Sequence, residues 1–206
     1  MLHLRFVWAQ QIYIVLFLTT SGVFVVRLVI LGGSGSGKST QAQSLCMHFD
    51  ISLISTSEVL HETKSSSSQL GSLAMPYLRG GIISNELMIE FVRVRLKNLT
   101  IESGWILEGY PRTVSQALEL DFLLDELGHP LQTAVYLQVS EAVMVSRSLG
   151  RSLPDDHPEI VQRRVELFYD QTIPILEYYD RRRRLITING DQPPNKVLSD
   201  IISLIV

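Results

Sequence analysis

The sequence predicts an α/β fold in three layers, a five-stranded parallel sheet with helices on both faces. Three observations predict it. Short runs rich in apolar and β-branched residues (27–31, 51–55, 105–107, 133–138 and 185–188) alternate with longer segments of helical periodicity. That alternation means parallel strands joined by right-handed crossovers. The first run, Arg27 to Leu31, reads as a strand buried on both faces and leads directly into a glycine-rich turn. Finally, 206 residues suffice for one α/β domain with a full core and are too few for two ordinary domains.

The glycine-rich turn, Gly32 to Ser39, fits G-x-x-x-x-G-K-[ST]. Gly33, Gly35 and Gly37 allow the backbone φ > 0 and a close approach to a bulky anion. The N–H groups of the loop, with the N-terminus of the helix that starts near Lys38, converge on phosphate oxygens. Lys38 adds a point charge for the β- and γ-phosphates, and the Ser39 hydroxyl is placed to ligate Mg²⁺. The expectation is a site for a nucleoside triphosphate.

After this loop a helix runs from Ser39 to Phe49 and a strand from Ile51 to Ser55, ending in Thr56. Ser57 to Thr63 reads as a short helix, Lys64 to Ser68 as a loop, and Leu70 to Leu78 as a helix stopped by Gly80-Gly81. Ser84 caps an amphipathic helix with Glu86 in its first turn and Leu87, Phe91, Val94 and Leu96 on its apolar side. Trp105 to Leu107 is the third strand; the turn Glu108-Gly109-Tyr110-Pro111-Arg112 at its carboxyl end should face the phosphate loop. A helix over Val114–Leu127, closed by Gly128 and Pro130, precedes a fourth strand, Thr133–Gln138, and a helix over Glu141–Leu149. Gly150 to Pro158 is a polar loop, and Glu159 to Arg183 a long helix kinked at Pro174. Leu185–Ile188 forms the last strand and Lys196–Ile205 the closing helix.

Net charge −3 carries no footprint for nucleic acid, and Arg181 to Arg184 read as complementing a helix C-terminus. Cys46 is the single cysteine, which excludes a disulfide framework and a four-cysteine zinc site; it is expected on the buried side of the first helix. His48, His129 and His157 have no metal-ligand spacing. Residues 1–26 form a hydrophobic extension, uncharged from Phe6 to Val26. Three readings of it stand open: a signal or membrane anchor, an ordered extra strand or helix, or a start assigned upstream of the native one. Its wholly apolar core, Ile12–Leu18, is short against the ~20 residues a bilayer span needs. A full span would run to Val25, against the first strand.

Four stretches then recur as a set. Gly32 to Gln41 matches G-x-P-G-x-G-K-G-T-Q; Ile54 to His61 matches I-S-T-G-D-x-L-R; Glu108 to Gln116 matches D-G-F-P-R-T-x-x-Q. Arg147 to Arg151 matches R-x-x-G-R, followed by Asp155-Asp156 and by Arg163-Arg164. The set, in order over residues 27–206, resembles the adenylate kinase family of nucleoside monophosphate kinases. The resemblance implies a small acceptor-binding helical insert at about 55–84 and a short lid at about 147–156. It implies that Lys38 and the loop residues Gly33, Ser34, Gly35, Ser36, Gly37, Ser39 and Thr40 hold ATP. Arg112 would grip the acceptor phosphate, with Arg147, Arg151 and Arg164 (favoured over Arg163) closing over the transferring group. Thr56 and Gln116 would read an adenine edge, Gly109, His61 and the Ile83 backbone completing the acceptor site. Ser39, and Glu108 through water, would hold Mg²⁺; the lid has no room for a zinc-bearing insert.

Departures from the pattern are Ser39 for glycine, Glu108 for aspartate, Ser57-Glu58 for Gly-Asp, and His61 for an arginine. The implied reaction is MgATP + AMP ⇌ 2 ADP, in a cytoplasmic monomer without nucleic-acid or membrane partners. The alternatives are a pyrimidine monophosphate kinase, against which Thr56 and Gln116 argue, and a catalytically weak nucleotide-binding regulatory protein, which His61, Ser57 and Glu108 motivate.

Overall fold

A computed structural model of the chain describes residues 25–56, 85–99, 104–151 and 157–206. The expected helices at 57–63 and 70–78, the Ser84 cap, His61, Ile83, Asp155-Asp156, the acceptor insert, much of the lid and all but the end of the N-terminal extension lie outside these residues. Five parallel strands, β1 (Arg27–Leu31), β2 (Ser52–Ser55), β3 (Trp105–Glu108), β4 (Thr133–Gln138) and β5 (Leu185–Asn189), form one sheet in the order β2-β3-β1-β4-β5. The central strand β1 pairs Val29 with Leu107 on one side and with Ala134 on the other. It is buried from Leu28 to Leu31, as its run of apolar residues dictates.

Alternate side chains of each strand serve opposite faces. Leu28 and Ile30 of β1, Ile106 of β3, and Val135 and Leu137 of β4 join an aliphatic cluster with α1 (Lys38–Phe49) and α7 (Pro194–Ile205). Val29 and Leu31, Trp105 and Leu107, and Ala134 and Tyr136 point the other way, into a larger cluster. That face is covered by α2 (Asn85–Lys97), α3 (Val114–Leu127), α4 (Glu141–Gly150), α5 (Pro158–Leu167) and α6 (Ile173–Asp180). The crossover after β1 thus runs over one face and the crossover after β3 over the other. A crevice opens between two adjacent strands whose connections diverge, at their carboxyl ends, and that is where ligands bind in open α/β sheets.

Among the described residues the sequence expectations hold for the strands and most helices, with three corrections. The long helix expected over Glu159–Arg183 is two helices, α5 and α6, separated by a π turn over Phe168–Thr172. Pro174 has no N–H for the carbonyl four residues earlier, and the ladder slips so that Ile173 N–H reaches Phe168 O instead. The helix also stops at Asp180: Arg183 takes φ 56° to turn the chain into β5. Around that stop Arg182 donates to the Tyr178 carbonyl at 3.1 Å and lies over its ring, while Arg184 pairs with Asp121 at 3.4 Å. Cys46 is half-buried at the margin of the aliphatic cluster rather than within it. Among the described residues, no helix is long and apolar enough to cross a membrane.

Candidate active site

The loop between β1 and α1 and the turn after β3 form the two walls of the crevice. In the first wall the left-handed glycines are Gly32, Gly35 and Gly37, at φ 152°, 79° and 94°. Gly33, expected to share that conformation, does not; it must be small because a Cβ there would collide with Met144 Sδ. Gly37 is the reverse case, with open space around it and only its φ demanding glycine. Lys38 opens α1 and donates through Nζ to the Gly33 carbonyl at 2.7 Å. Burial pushes its pKa down to about 8; Glu108 opposes the fall, and Arg112 and Arg151 add to it.

The second wall is shaped by close packing. Gly109 has φ 89°, and a Cβ there would run into Thr56 Oγ1, so the turn rests on the end of β2. A cis Tyr110–Pro111 peptide follows. Thr113 caps α3 by accepting from Gln116 N–H at 3.3 Å. Gln116 then holds the turn from beneath: its Oε1 accepts from Arg112 N–H at 2.7 Å and its Nε2 donates to Asn85 Oδ1 at 2.6 Å. Arg112 folds back to donate from Nε to the Gly109 carbonyl at 2.8 Å. Its residue surface is open at the mouth of the crevice, yet enough protein surrounds the guanidinium for desolvation to lower its pKa. Glu108 counters that shift and Arg164 reinforces it.

Glu108 lies between the walls. Ser39 donates to one carboxylate oxygen at 3.1 Å and Ser55 to the other at 2.7 Å. The β2–β3 register sets Ser55 directly beside Glu108. Two of the departures from the family pattern, Ser39 and Glu108, are therefore in contact. A hydroxyl and a carboxylate converging in this way are hard oxygen donors, a set that suits Mg²⁺.

The expected arginines divide. Arg151 follows α4 and donates to Ser34 Oγ at 3.1 Å, above the phosphate loop. Arg164 is half-buried and faces Arg112, whereas Arg163 pairs with Glu166 at the surface. Arg147 turns instead to the Gly190 carbonyl at 3.1 Å. There it borders a cavity of about 250 Å³, lined also by Ser36, Gly37, Thr40, Gln41 and Gln192. The structure thus gathers Lys38, Glu108, Arg112, Arg151 and Arg164 in one neighbourhood and sets Arg147 beside the outer cavity.

Several participants were missed from the sequence. Ser55 was visible only as part of a matched stretch, and its partnership follows from strand adjacency. Ser148, which shares a hydrogen bond with Ser34, stands at a variable position of its matched stretch, and Thr172, which donates to the Arg112 carbonyl at 3.4 Å, lies in no motif.

The sequence model of the adenylate kinase family matches residues 30–184. Adenylate kinase 2 of a Nostoc species is 66% identical over 182 residues, covering 88% of this chain and 99% of that protein. Adenylate kinase 2 of a Synechocystis species is 47% identical over 86% of this chain and 99% of its own length. Adenylate kinase 1 of the Nostoc species is 38% identical over 86% and 97%. With a phosphate loop on one wall, an arginine-bearing turn on the other and relatives this similar along nearly their whole length, the chain belongs to the adenylate kinase family, phosphotransferases that act as nucleoside monophosphate kinases.

Proposed function

We propose that the chain catalyses MgATP + AMP ⇌ 2 ADP by direct in-line transfer, with residues 27–206 as the catalytic unit of a cytoplasmic monomer. The observation that carries this reading is the crowding of Lys38, Arg112, Arg151 and Arg164 around the crevice. Bringing two phosphate chains together concentrates negative charge, and the protein's task is to position and neutralise it. In this reading Lys38 leaves the Gly33 carbonyl for the β- and γ-phosphates, whose charge raises its lowered pKa and strengthens its hold on the ammonium proton. Arg112 holds the acceptor phosphate, and Arg151 and Arg164 approach the transferring group. An acceptor-phosphate oxygen bonds to the γ-phosphorus as its bond to the bridging oxygen breaks, and no covalent enzyme intermediate forms.

Thr56 and Gln116 recognise the acceptor base, beside Gly109. His61 and Ile83 belong to the same proposed acceptor site. Gln116 suits the role because its amide is already locked by Arg112 and Asn85. Arg147 serves the donor from the cavity beside Gly190. Ser39, and Glu108 through water, are the residues that would hold Mg²⁺, which would offset negative charge on the phosphates.

Rates with AMP, CMP, UMP and dAMP as acceptors, MgATP as donor and coupled detection of ADP test the proposal. AMP should be the preferred acceptor by a wide margin. Preference for CMP or UMP would overturn the assignment of Thr56 and Gln116, and no turnover with any acceptor would overturn the reaction.

A further inference from the structure

Ser34 stands where the family pattern of the phosphate loop has proline. Its hydroxyl does what a proline ring cannot. Arg151 Nη2 donates to it at 3.1 Å, and it shares a second hydrogen bond with Ser148 Oγ at 3.3 Å. Ser148 is fully buried in the last turn of α4, and the Arg151 N–H is itself tied to the Ser148 and Leu149 carbonyls. The loop backbone is pressed onto the same helix: a Cβ at Gly33 would strike Met144 Sδ, and one at Gly35 the Met144 carbonyl oxygen. The loop and the end of α4 therefore meet at one tight contact, with the Ser34 hydroxyl at its polar centre.

Tight packing fixes where the Arg151 backbone sits but not where its long side chain goes. A guanidinium on a flexible stem loses much rotamer freedom when it is made to grip a phosphate. We propose that Ser34 is a positioning residue for Arg151: its hydroxyl holds one arm of the guanidinium over the phosphate loop before the triphosphate arrives. The inference deepens the proposed function and rests on its reading of Arg151 as a donor-side cation. With the arm already placed, less ordering remains to oppose binding. With Lys38 Nζ on the Gly33 carbonyl and Arg151 on the neighbouring Ser34 hydroxyl, the two cations lie over the same loop.

A double-mutant cycle on the full chain tests this, with steady-state kinetics for MgATP and AMP and thermal unfolding of every variant. Ser34→Ala should lower kcat/KM for ATP about ten- to hundredfold, the range for a hydrogen bond to a charged group, and leave the KM for AMP within about twofold. Ser34→Thr, which keeps the hydroxyl, should recover the lost activity. In an Arg151→Ala background, Ser34→Ala should cost less than about twofold more, because there is nothing left to position. Should Ser34→Ala fail to fold, Ser34→Pro takes its place with the same expectations. An equal loss with and without Arg151 would overturn the inference, as would no loss from Ser34→Ala while Arg151→Ala is damaging. If Arg151→Ala leaves ATP kinetics unchanged, the reading of Arg151 itself is wrong, and the positioning role falls with it.

Discussion

The two faces of the sheet are built differently. One is small and aliphatic, Leu, Ile and Val from the strands against two helices, α1 and α7. The other is broad and aromatic, with Phe91, Trp105, Tyr110, Tyr136, Phe168, Tyr178 and Tyr179 beneath five helices. The phosphate loop runs from the central strand into a helix of the small face. The arginines that would act on phosphate come from the broad face: Arg112 before α3, Arg151 after α4, Arg164 on α5. A binding cradle thus sits on the simpler layer, and the cations that converge on it hang from the layer with more joints.

Replacement of a core aromatic on the broad face should have the largest effect. Phe91 is fully buried, and Phe91→Ala should cost ~3–5 kcal/mol of stability, read as a fall in denaturant midpoint at unchanged slope. At low temperature the folded remainder should bind ATP almost normally, since the cradle belongs to the other layer. Weak ATP binding by the folded fraction would show that the layers do not divide labour as described.

Next come the two charges that define the walls. Lys38→Ala should weaken ATP by ~1.5–3 kcal/mol and spare AMP, and Arg112→Ala should do the reverse; both should nearly abolish turnover. Calorimetric titration of each nucleotide alone separates the cases. Equal weakening of both ligands by both variants would erase the distinction between donor and acceptor walls.

A trimming of the small face should be milder. Ile201→Val in α7 removes one methyl group from the aliphatic cluster and should cost ~0.5–1.5 kcal/mol in chemical denaturation. The smallest expected effect lies at the amino ends of the central strands, where His129 is buried after α3. Burial lowers its pKa and Arg27 adds to the shift. The folded chain then resists a proton that the unfolded chain accepts near pH ~6.5, so stability falls as pH drops below that value. His129→Leu should flatten this acid-side loss in denaturation curves taken from pH 7 to 5; an unchanged slope would assign the loss to other groups.

Much of this was legible in the sequence because the strongest signals are local. Arg27–Leu31 could be read as a doubly buried strand from its residues alone, and Val114–Leu127 as a helix closed by Gly128. What escaped depends on neighbours distant in the chain. Ser55 holds Glu108 only because β2 lies beside β3, and Ser34 meets Ser148 only because α4 lands on the loop. Pro174 announced a disturbance, but the ladder yielded on its N-terminal side, where the proline leaves a carbonyl without its donor. Gly33 was misread because a glycine is needed for want of room as often as for its φ, and a pattern of glycines does not tell the two apart.

The place of β1 in the sheet has a consequence for exchange of its amide hydrogens. With β3 on one side and β4 on the other, its N–H groups are hydrogen-bonded within the interior of the sheet, and their exchange requires the sheet to come apart. β2 and β5, each with a single neighbour among the described residues, can release theirs through smaller openings. In deuterium labelling the residues leading into the phosphate loop should therefore be among the last to exchange, at rates that report global unfolding. The anchor of the phosphate loop is thus as durable as the whole domain.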